Sequence, residues 1–452
     1  MNFSTFHQAL DYLYSFISFE HKTSWQYNAR TLNLESFRGL LKELGSPQFS
    51  FKSIHVAGSD GKGSVCAMIE SVLQVMGYQV GMYISPHLED IRERITINQQ
   101  WIPEADFIRL AEHLRQVHEK FPLNSFGYAT FFELITAMGF LHFQQRGVDF
   151  AVIETGLGGR LDATNVMDPV VTVITHISLE HTERLGNTLE QIADEKLGII
   201  RPGTPVIIAP QEPDARRHIK LRLQKHPAKV VFVDEEYFLK SASQKDNFQT
   251  LTYLRNSVPN QPHTVNLSLL GSYQHQNALT AIAALDTLHE AGYLENYGMA
   301  QLCRGLQQTS WAGRFEFIQK RDGRKIILDV THTAQGAIAL RKALDETFPD
   351  LNRIFITGFL KEKKIKDILL ALIRSEDKLI LTQAPSPRGC SIEDILFEIH
   401  DTPLRSRIID QFVNPHQAFK AALSHAQPED LIIITGSLYL AGELRKDIID
   451  VD

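Results

Sequence analysis

A glycine-rich loop near the N-terminus constrains the fold of this chain more than any other feature. The loop Gly58-Ser59-Asp60-Gly61-Lys62-Gly63-Ser64 lies between the apolar run 53–57 and the helical pattern 65–76, so a strand runs into a turn and then a helix. The glycines let successive backbone N–H groups point at one anion, Lys62 adds a cation, and the Ser64 hydroxyl can ligate Mg²⁺. The sequence therefore predicts a nucleoside triphosphate site at the start of this helix.

The spacing of the loop differs from the standard phosphate loop, G-x-x-x-x-G-K-[ST]. Only two residues separate Gly58 from Gly61, and Gly63 stands between Lys62 and Ser64. A short glycine-rich turn that merely reverses the chain is the alternative. The strand before the loop and the helix after it favour phosphate binding.

Strands and helices alternate along most of the 452 residues, which predicts an α/β fold with a mainly parallel, doubly wound sheet. Short alternating runs between 237 and 269 predict a small antiparallel part. A second, smaller α/β series of the Rossmann type begins near Lys325, after a candidate hinge at 309–314. We therefore expect an N-terminal P-loop ATPase domain, 1–308, with N-terminal helices, the first of them an amphipathic helix within 1–19, and a C-terminal domain, 309–452.

Composition excludes several classes of partner and location. The net charge of −7 comes with scattered lysines and arginines, so we expect no nucleic-acid partner. Cys66, Cys303 and Cys390 are isolated in sequence, which is typical of a reducing compartment. The sequence contains no signal peptide pattern and no apolar run long enough to span a membrane. We expect a cytoplasmic protein without a membrane partner and, in the absence of an unusual apolar surface, a monomer.

Two polar clusters follow predicted strands, where ligands collect in open parallel sheets. Glu154 begins the run 154–165 and is placed to ligate Mg²⁺; a glycine-rich turn with a capping acid is the alternative. His181 ends the run 176–181 and is a second candidate metal ligand, or else a hydrogen-bonded structural histidine. Taken alone, Lys196 belongs to an ordinary helix end, and Arg314 to a surface linker.

These segments together resemble the folylpolyglutamate synthase and dihydrofolate synthase family, a branch of the Mur ligase superfamily, along nearly the whole chain. The long run from Glu154 to Asn165 is the most specific match. The matching segments are His55-Val56-Ala57-Gly58, Gly61-Lys62-Gly63-Ser64, Ser85-Pro86-His87-Leu88, Arg92-Glu93-Arg94, Phe131-Phe132-Glu133, 154–165, Glu195-Lys196, Gly198-Ile199-Ile200, Gly313-Arg314-Phe315-Glu316 and Thr435-Gly436-Ser437-Leu438-Tyr439.

The resemblance implies an ATP-dependent ligase that joins L-glutamate to a folate or dihydropteroate carboxylate. It assigns residues 1–308 to a Mur ligase central domain and 309–452 to a glutamate ligase domain. In this family the carboxylate attacks the γ-phosphate to give an acyl phosphate, and the glutamate amine then displaces phosphate. The order is physically reasonable, because a carboxylate is a poor electrophile until one of its oxygens becomes a phosphate leaving group.

The resemblance also implies roles for individual residues. The lysine that corresponds to Lys196 is often carbamylated in the family, which converts a cation into an anion able to support Mg²⁺. The Mg²⁺ ligands of the family correspond to Ser64, Glu154 and His181. Catalytic positions match Lys62, Lys196, Arg314 and His332; nucleotide positions match 58–64, Gln274, Asn277, Arg314 and Asp329; substrate positions match Ser85, Pro86, His87, Arg94, Phe131, Asp162, His332 and Ser437.

The chain departs from the family pattern at several of these sites. Ser59-Asp60 replaces the usual Thr-Asn and puts a carboxylate in the phosphate loop, and Glu180 replaces an Asp. Thr333-Ala334 stands where Asn-Pro is usual, and 362–364 differs from the usual Asp-Lys-Asp. A Mur-type ligase for another carboxylate, or a nucleotide-binding paralogue with impaired catalysis, are therefore the alternatives. The sequence leaves open which folate step is catalysed and how many glutamates are added.

Overall fold

The computed structural model describes residues 3–20, 25, 27–29, 31–120, 129–245 and 247–450, which form three β-sheets and the helices around them. The strands are β1 (Lys52–Ala57), β2 (Val80–Tyr83), β3 (Ile95–Ile97), β4 (Gln100–Trp101), β5 (Phe150–Glu154), β6 (Val171–Ile174), β7 (Val206–Ile208), β8 (Val230–Phe232), β9 (Tyr237–Lys245), β10 (Phe248–Arg255), β11 (Val258–Leu267), β12 (Glu316–Gln319), β13 (Lys325–Leu328), β14 (Arg353–Thr357), β15 (Lys378–Thr382), β16 (Ile408–Phe412) and β17 (Leu431–Thr435).

The helices follow most strands in alternation, as expected for parallel strands joined by crossovers. They are α1 (Phe6–Tyr14), α2 (Leu34–Glu43), α3 (Lys62–Val75), α4 (Glu104–Lys120), α5 (Phe131–Arg146), α6 (Thr182–Leu185), α7 (Leu189–Leu197), α8 (Pro213–Leu223), α9 (Val233–Glu236), α10 (Tyr273–Glu290), α11 (Met299–Gln308), α12 (Ala334–Thr347), α13 (Ile365–Leu372), α14 (Ile392–Glu398), α15 (Pro415–His425) and α16 (Leu438–Asp450). None of the described helices is long and apolar enough to cross a membrane.

The largest sheet has eight strands in the order β4-β3-β2-β5-β1-β6-β7-β8. The six strands β2-β5-β1-β6-β7-β8 are parallel to one another, and β3 and β4 pair antiparallel. The central strand β1 is buried at every position except Lys52. Val56 pairs with Glu154, and Ala57 pairs with Ile174, so the carboxyl ends of three strands lie side by side. This register brings three polar loops to one edge of the sheet.

The second large sheet has six strands in the order β12-β13-β17-β14-β15-β16, with β12 antiparallel to β13 and the other pairs parallel. A three-stranded sheet, β11-β10-β9, accounts for the polar region 237–267; β10 and β11 are joined by two residues, the length of an antiparallel hairpin. The predicted α/β class, with a mainly parallel sheet and a second smaller α/β part, is confirmed.

The chain divides into two compact units. Unit 1 comprises residues 1–241, 251–266 and 276–309, and unit 2 comprises 242–250, 267–275 and 310–452. The core of unit 1 includes the predicted amphipathic N-terminal helix, α1, whose Leu13 is buried with residues of α4 and α5. The core of unit 2 gathers around β14, β15 and β17.

Candidate active site

The glycine-rich loop joins the end of β1 to the start of α3 in unit 1. Gly58 has φ 153° and Gly61 has φ 85°, a region that favours glycine. A Cβ atom on Gly58 would lie 1.8 Å from Oγ1 of Thr175, and one on Gly61 would lie 2.3 Å from Oδ1 of Asn277. The positive φ disfavours a side chain at both positions, and at Gly58 a Cβ would also clash with Thr175. Asn277, a predicted nucleotide contact, does lie against the loop.

Lys62 begins α3 and folds its amine back over the loop. Nζ donates to the carbonyl oxygens of Gly58 and Ser59, at 3.0 Å each, and lies 4.0 Å from Oε1 of Glu154. The side chain is 15% exposed. The Lys62 cation is therefore held at the N-terminus of α3, and both this cation and the backbone dipoles of the helix favour binding of an anion.

Ser64, the last residue of the loop, is buried, and so is Glu154 beside it. Glu154 ends β5, and its Oε2 accepts the backbone N–H of Ser85 at 3.3 Å. A predicted metal ligand is thus linked directly to the segment 85–94, which we predict to bind substrate.

His181 lies in the loop after β6 and has φ 51°, a left-handed conformation that turns the chain into α6. Its Nε2 lies 3.4 Å from Oε1 of Glu180. Burial lowers the pKa of His181, which favours the neutral imidazole that binds metals. Although burial opposes the shift, the nearby charge of Lys62 is the main cause that lowers the pKa of Glu180, which keeps that carboxylate ionised.

The donor set fits a magnesium ion that is shared with phosphates. Within the described residues, no three His, Cys, Asp or Glu side chains converge as a complete metal cage. Mg²⁺ commonly takes one or two carboxylates and completes its octahedron with waters and substrate phosphates. The buried carboxylate of Glu154 and the hydroxyl of Ser64, beside a phosphate loop, suit this arrangement, with His181 as a further candidate.

Lys196 is buried at the end of α7, and its Nζ donates to the carbonyl oxygen of Gly58 at 2.7 Å. Burial, together with the nearby charge of Lys62, lowers the pKa of Lys196 to about 7. The loop after β5 packs against this helix end: a Cβ atom on Gly159 would lie 3.0 Å from the carbonyl oxygen of Lys196. A lysine whose amine is neutral far more often than that of an ordinary lysine therefore lies directly against the phosphate loop.

The segment 85–94 is held by charged side chains. Glu93 accepts the backbone N–H groups of Leu88, Glu89 and Asp90, each at 2.7 Å. Arg94 is fully buried, and its guanidinium lies over the ring of Phe131, with Cζ 5.5 Å from the ring centroid. These contacts bring two of the predicted substrate residues together.

The partner that holds Arg94 is not predicted by the sequence. Glu20 forms a bidentate pair with Arg94, with N···O distances of 2.7 and 2.8 Å, across 74 positions of the chain. Nε of Arg94 also donates to Nδ1 of His87 at 3.0 Å. No local pattern marks Glu20, because its role depends only on the folded path of the N-terminal segment.

Asp162 makes its contacts within its own loop. Oδ2 accepts the N–H groups of Gly156 and Leu157, and Oδ1 accepts the N–H and hydroxyl of Thr164, at 2.6 to 3.0 Å. Burial nevertheless raises the pKa of Asp162. This carboxylate therefore shapes the loop after β5.

In unit 2, the predicted residues gather around the start of β12 and the end of β13. Arg314 is exposed, whereas Phe315 beside it has φ 50° and a buried ring. Asp329 accepts the N–H groups of Phe315 and Thr331, at 2.8 and 2.9 Å. The buried Asp329 and the ring of Phe315 thus fix the backbone that carries Arg314.

His332, Ser437 and Gln274 also belong to unit 2. Nδ1 of His332 pairs with the carbonyl oxygen of Val330 at 2.9 Å, Ser437 accepts the N–H of Leu440 at the start of α16, and Gln274 is fully buried. Thr333, one of the departures from the family pattern, accepts the N–H of Gly336 and caps α12. The change from Asn-Pro therefore retains a helix start.

Two family models match the chain. Residues 56–285 match the Mur ligase middle domain, and residues 313–438 match the Mur ligase glutamate ligase domain. The first match covers the eight-stranded sheet except the first residues of β1. The second covers the whole six-stranded sheet.

Individual proteins of known identity are similar over nearly their full lengths. A dihydrofolate synthase/folylpolyglutamate synthase of Bacillus subtilis is 30% identical over 95% of this chain and 99% of its own. The folylpolyglutamate synthase structure of Thermotoga maritima has a TM-score of 0.83 and 29% identity, covering 98% of this chain and 96% of that chain. The folylpolyglutamate synthase structure of Mycobacterium tuberculosis, complexed with ADP and AMPPCP, has a TM-score of 0.82 and 29% identity, covering 92% of this chain and 96% of that chain.

Proposed function

Because the chain belongs to the Mur ligase family, in its folylpolyglutamate and dihydrofolate synthase branch, we propose that it joins L-glutamate to a folate or dihydropteroate carboxylate. It is an ATP-dependent ligase that releases ADP and phosphate. The observation that carries this conclusion is the convergence of Lys62, Lys196 and Glu154 on the phosphate loop, at the carboxyl edge of a Mur ligase sheet.

The loop supplies what phosphoryl transfer to a carboxylate needs. Lys62 and the backbone N–H groups of the loop hold the β- and γ-phosphates, so the substrate carboxylate meets the γ-phosphate in a fixed orientation. Ser64, Glu154 and His181 would hold Mg²⁺, which would supply positive charge to offset the charge of the phosphates. The acyl phosphate then reacts with the amine of glutamate, which expels phosphate.

We also propose that Lys196 is carbamylated. Its lowered pKa, about 7, supports this proposal, because only a neutral amine attacks CO₂. The neutral amine forms an N–C bond to CO₂ as one C–O π bond opens, and the nitrogen releases one proton. Counted from the ammonium form two protons are lost, so a cation that Lys62 repels becomes an anion that Lys62 attracts.

The roles of the remaining residues are proposals of the same kind. We assign substrate binding to residues that lie on the segment 85–94, at the start of α5, in the loop after β5 and in unit 2. These are Ser85, Pro86, His87, Arg94, Phe131, Asp162, His332 and Ser437. Nucleotide contacts are assigned to 58–64, Gln274, Asn277, Arg314 and Asp329, with Arg314 stabilising the charge of the transition state.

The family matches at 56–285 and 313–438 support an ATP-binding domain at 1–308 and a glutamate ligase domain at 309–452. We further propose a monomer that works in the cytoplasm and takes only small-molecule substrates. Gel filtration with light scattering at several concentrations tests the oligomeric state.

The function is tested with the purified full-length protein, ATP, Mg²⁺ and L-glutamate. One reaction receives 7,8-dihydropteroate, a second receives tetrahydrofolate, and a third receives no acceptor. We expect acceptor-dependent ADP release, with a product whose mass exceeds that of the acceptor by one or more glutamyl residues. The acceptor that supports turnover decides which folate step is catalysed. ADP release that depends on neither acceptor contradicts the proposed function.

A further inference from the structure

Asp60 raises an electrostatic difficulty, because it places a carboxylate in a loop that binds an anion. Like charges a few ångströms apart repel by an energy that would weaken triphosphate binding. Burial alone would raise the pKa of Asp60, but hydrogen bonds to His176 and Ser178 lower that pKa overall. The carboxylate is therefore ionised near neutral pH. The loop therefore needs a group that offsets this charge.

The segment after β6 supplies such a group. Oδ2 of Asp60 accepts the hydroxyl of Ser178 at 2.9 Å and lies 3.5 Å from Nδ1 of His176. Both side chains of the His–Asp pair are partly exposed, at 34% for His176 and 58% for Asp60. The Asp60 carboxylate is therefore exposed enough for its charge to act on a ligand of the loop.

Backbone contacts fix this segment against the phosphate loop without the histidine ring. The N–H groups of Ser59 and Asp60 both donate to the carbonyl oxygen of His176, at 2.8 and 3.2 Å. The hydroxyl of Ser59 also pairs with the backbone of Ser178, at 3.1 and 3.2 Å. These contacts attach the segment without the imidazole of His176, which is left with an electrostatic role.

We propose that His176 is a positioning residue for the nucleotide: its ring holds the Asp60 carboxylate at the segment 176–178 and offsets its charge, which leaves the loop N–H groups and Lys62 to the triphosphate. This inference rests on the proposed function, because it takes the loop to be the ATP site. Lys62 is the loop's own cation, and an Asp60 without its histidine would compete with phosphate for that cation.

The test measures binding of ATP with Mg²⁺ by calorimetry, on the full-length protein without acceptor or glutamate. The variants are His176→Ala, Asp60→Asn and the double variant, with His425→Ala as a matched control. His425 forms a similarly exposed pair with Asp410 in unit 2. We expect His176→Ala to raise the Kd for ATP roughly three- to fivefold, the range of an exposed ion pair. The double variant and the control should bind as the wild type does.

Second-site rescue separates the electrostatic role from a structural one. If the double variant binds as weakly as His176→Ala, or if His176→Ala binds normally, the inference is wrong. Should His176→Ala fail to fold, as judged by thermal unfolding, the same comparison is made with His176→Asn, alone and with Asp60→Asn. A wild-type protein that binds ATP but ligates no glutamate would contradict the proposed function and leave this inference standing.

Discussion

The proposed carbamate on Lys196 predicts that the enzyme requires CO₂. The magnitude follows from the pKa of the amine. At a pKa of about 7, about half of the amine is neutral at pH 7, whereas at the ordinary lysine value of 10.5 only about one part in three thousand is neutral. Lys196 is therefore the lysine of this site with enough neutral amine to react with CO₂ at physiological pH.

The perturbation is removal of CO₂ from the buffer, combined with the variant Lys196→Ala. The assay is the initial rate of acceptor-dependent ADP release, with and without added bicarbonate. We expect the wild-type rate to fall in CO₂-depleted buffer and to recover with bicarbonate. The rate of Lys196→Ala should be lower by about 100-fold under both conditions, the cost of losing a group that supports a bound metal. Added acetate or formate should restore part of it.

A spectroscopic measurement makes the prediction independent of turnover. Wild-type protein in ¹³C-bicarbonate should give a carbamate carbon signal that Lys196→Ala lacks. Lys220→Ala serves as the matched control, because Lys220 lies on the surface of α8 and pairs with Glu235. A wild-type rate that is insensitive to CO₂, without such a signal at saturating bicarbonate, would refute the reasoning from the neutral amine.

Three further predictions concern the loop and the last helix. Lys62→Ala should abolish turnover by removing the phosphate-binding cation, and near-normal ADP release would show that the loop is not the active ATP site. Gly58→Ala should lower the free energy of unfolding by about 1–3 kcal/mol more than Gly77→Ala. Both glycines have positive φ, but only at Gly58 would the Cβ meet another side chain, Thr175. His416→Ala should lower the thermal midpoint at pH 6, with a difference that fades as the pH rises above 6.5. Hydrogen bonds to two carboxylates of α16 raise the pKa of His416, so its contribution is present below the unfolded pKa and lost above the folded pKa.

The sequence predicted the backbone of the site better than its side-chain pairings. β1, β5 and β6 were predicted because strands buried on both faces are continuous apolar runs, and parallel strands end at one edge. That rule placed Glu154 beside the phosphate loop from sequence alone, and the observed register agrees.

Pairings between distant segments could not be predicted in the same way. Glu20 and Arg94 are 74 positions apart, and His176 and Asp60 are 116 positions apart, so neither pair leaves a local pattern. The capping of three backbone N–H groups by Glu93 is short in range, but it requires the chain at 88–90 to reverse, which the residue types alone do not specify.

The arrangement around Gly58 explains why the charge state of the site had to come from the structure. Its carbonyl oxygen accepts from both amines, Lys62 at 3.0 Å and Lys196 at 2.7 Å, although the two lysines are 134 positions apart. Burial of Lys196 disfavours its ammonium form, and repulsion by the Lys62 ammonium on the same acceptor adds to that cost, so the pKa of Lys196 falls to about 7. An added negative charge, whether on a bound phosphate or on a carbamate, relieves the same repulsion. The geometry that lowers the pKa of Lys196 therefore also favours the anions on which the proposed reaction depends.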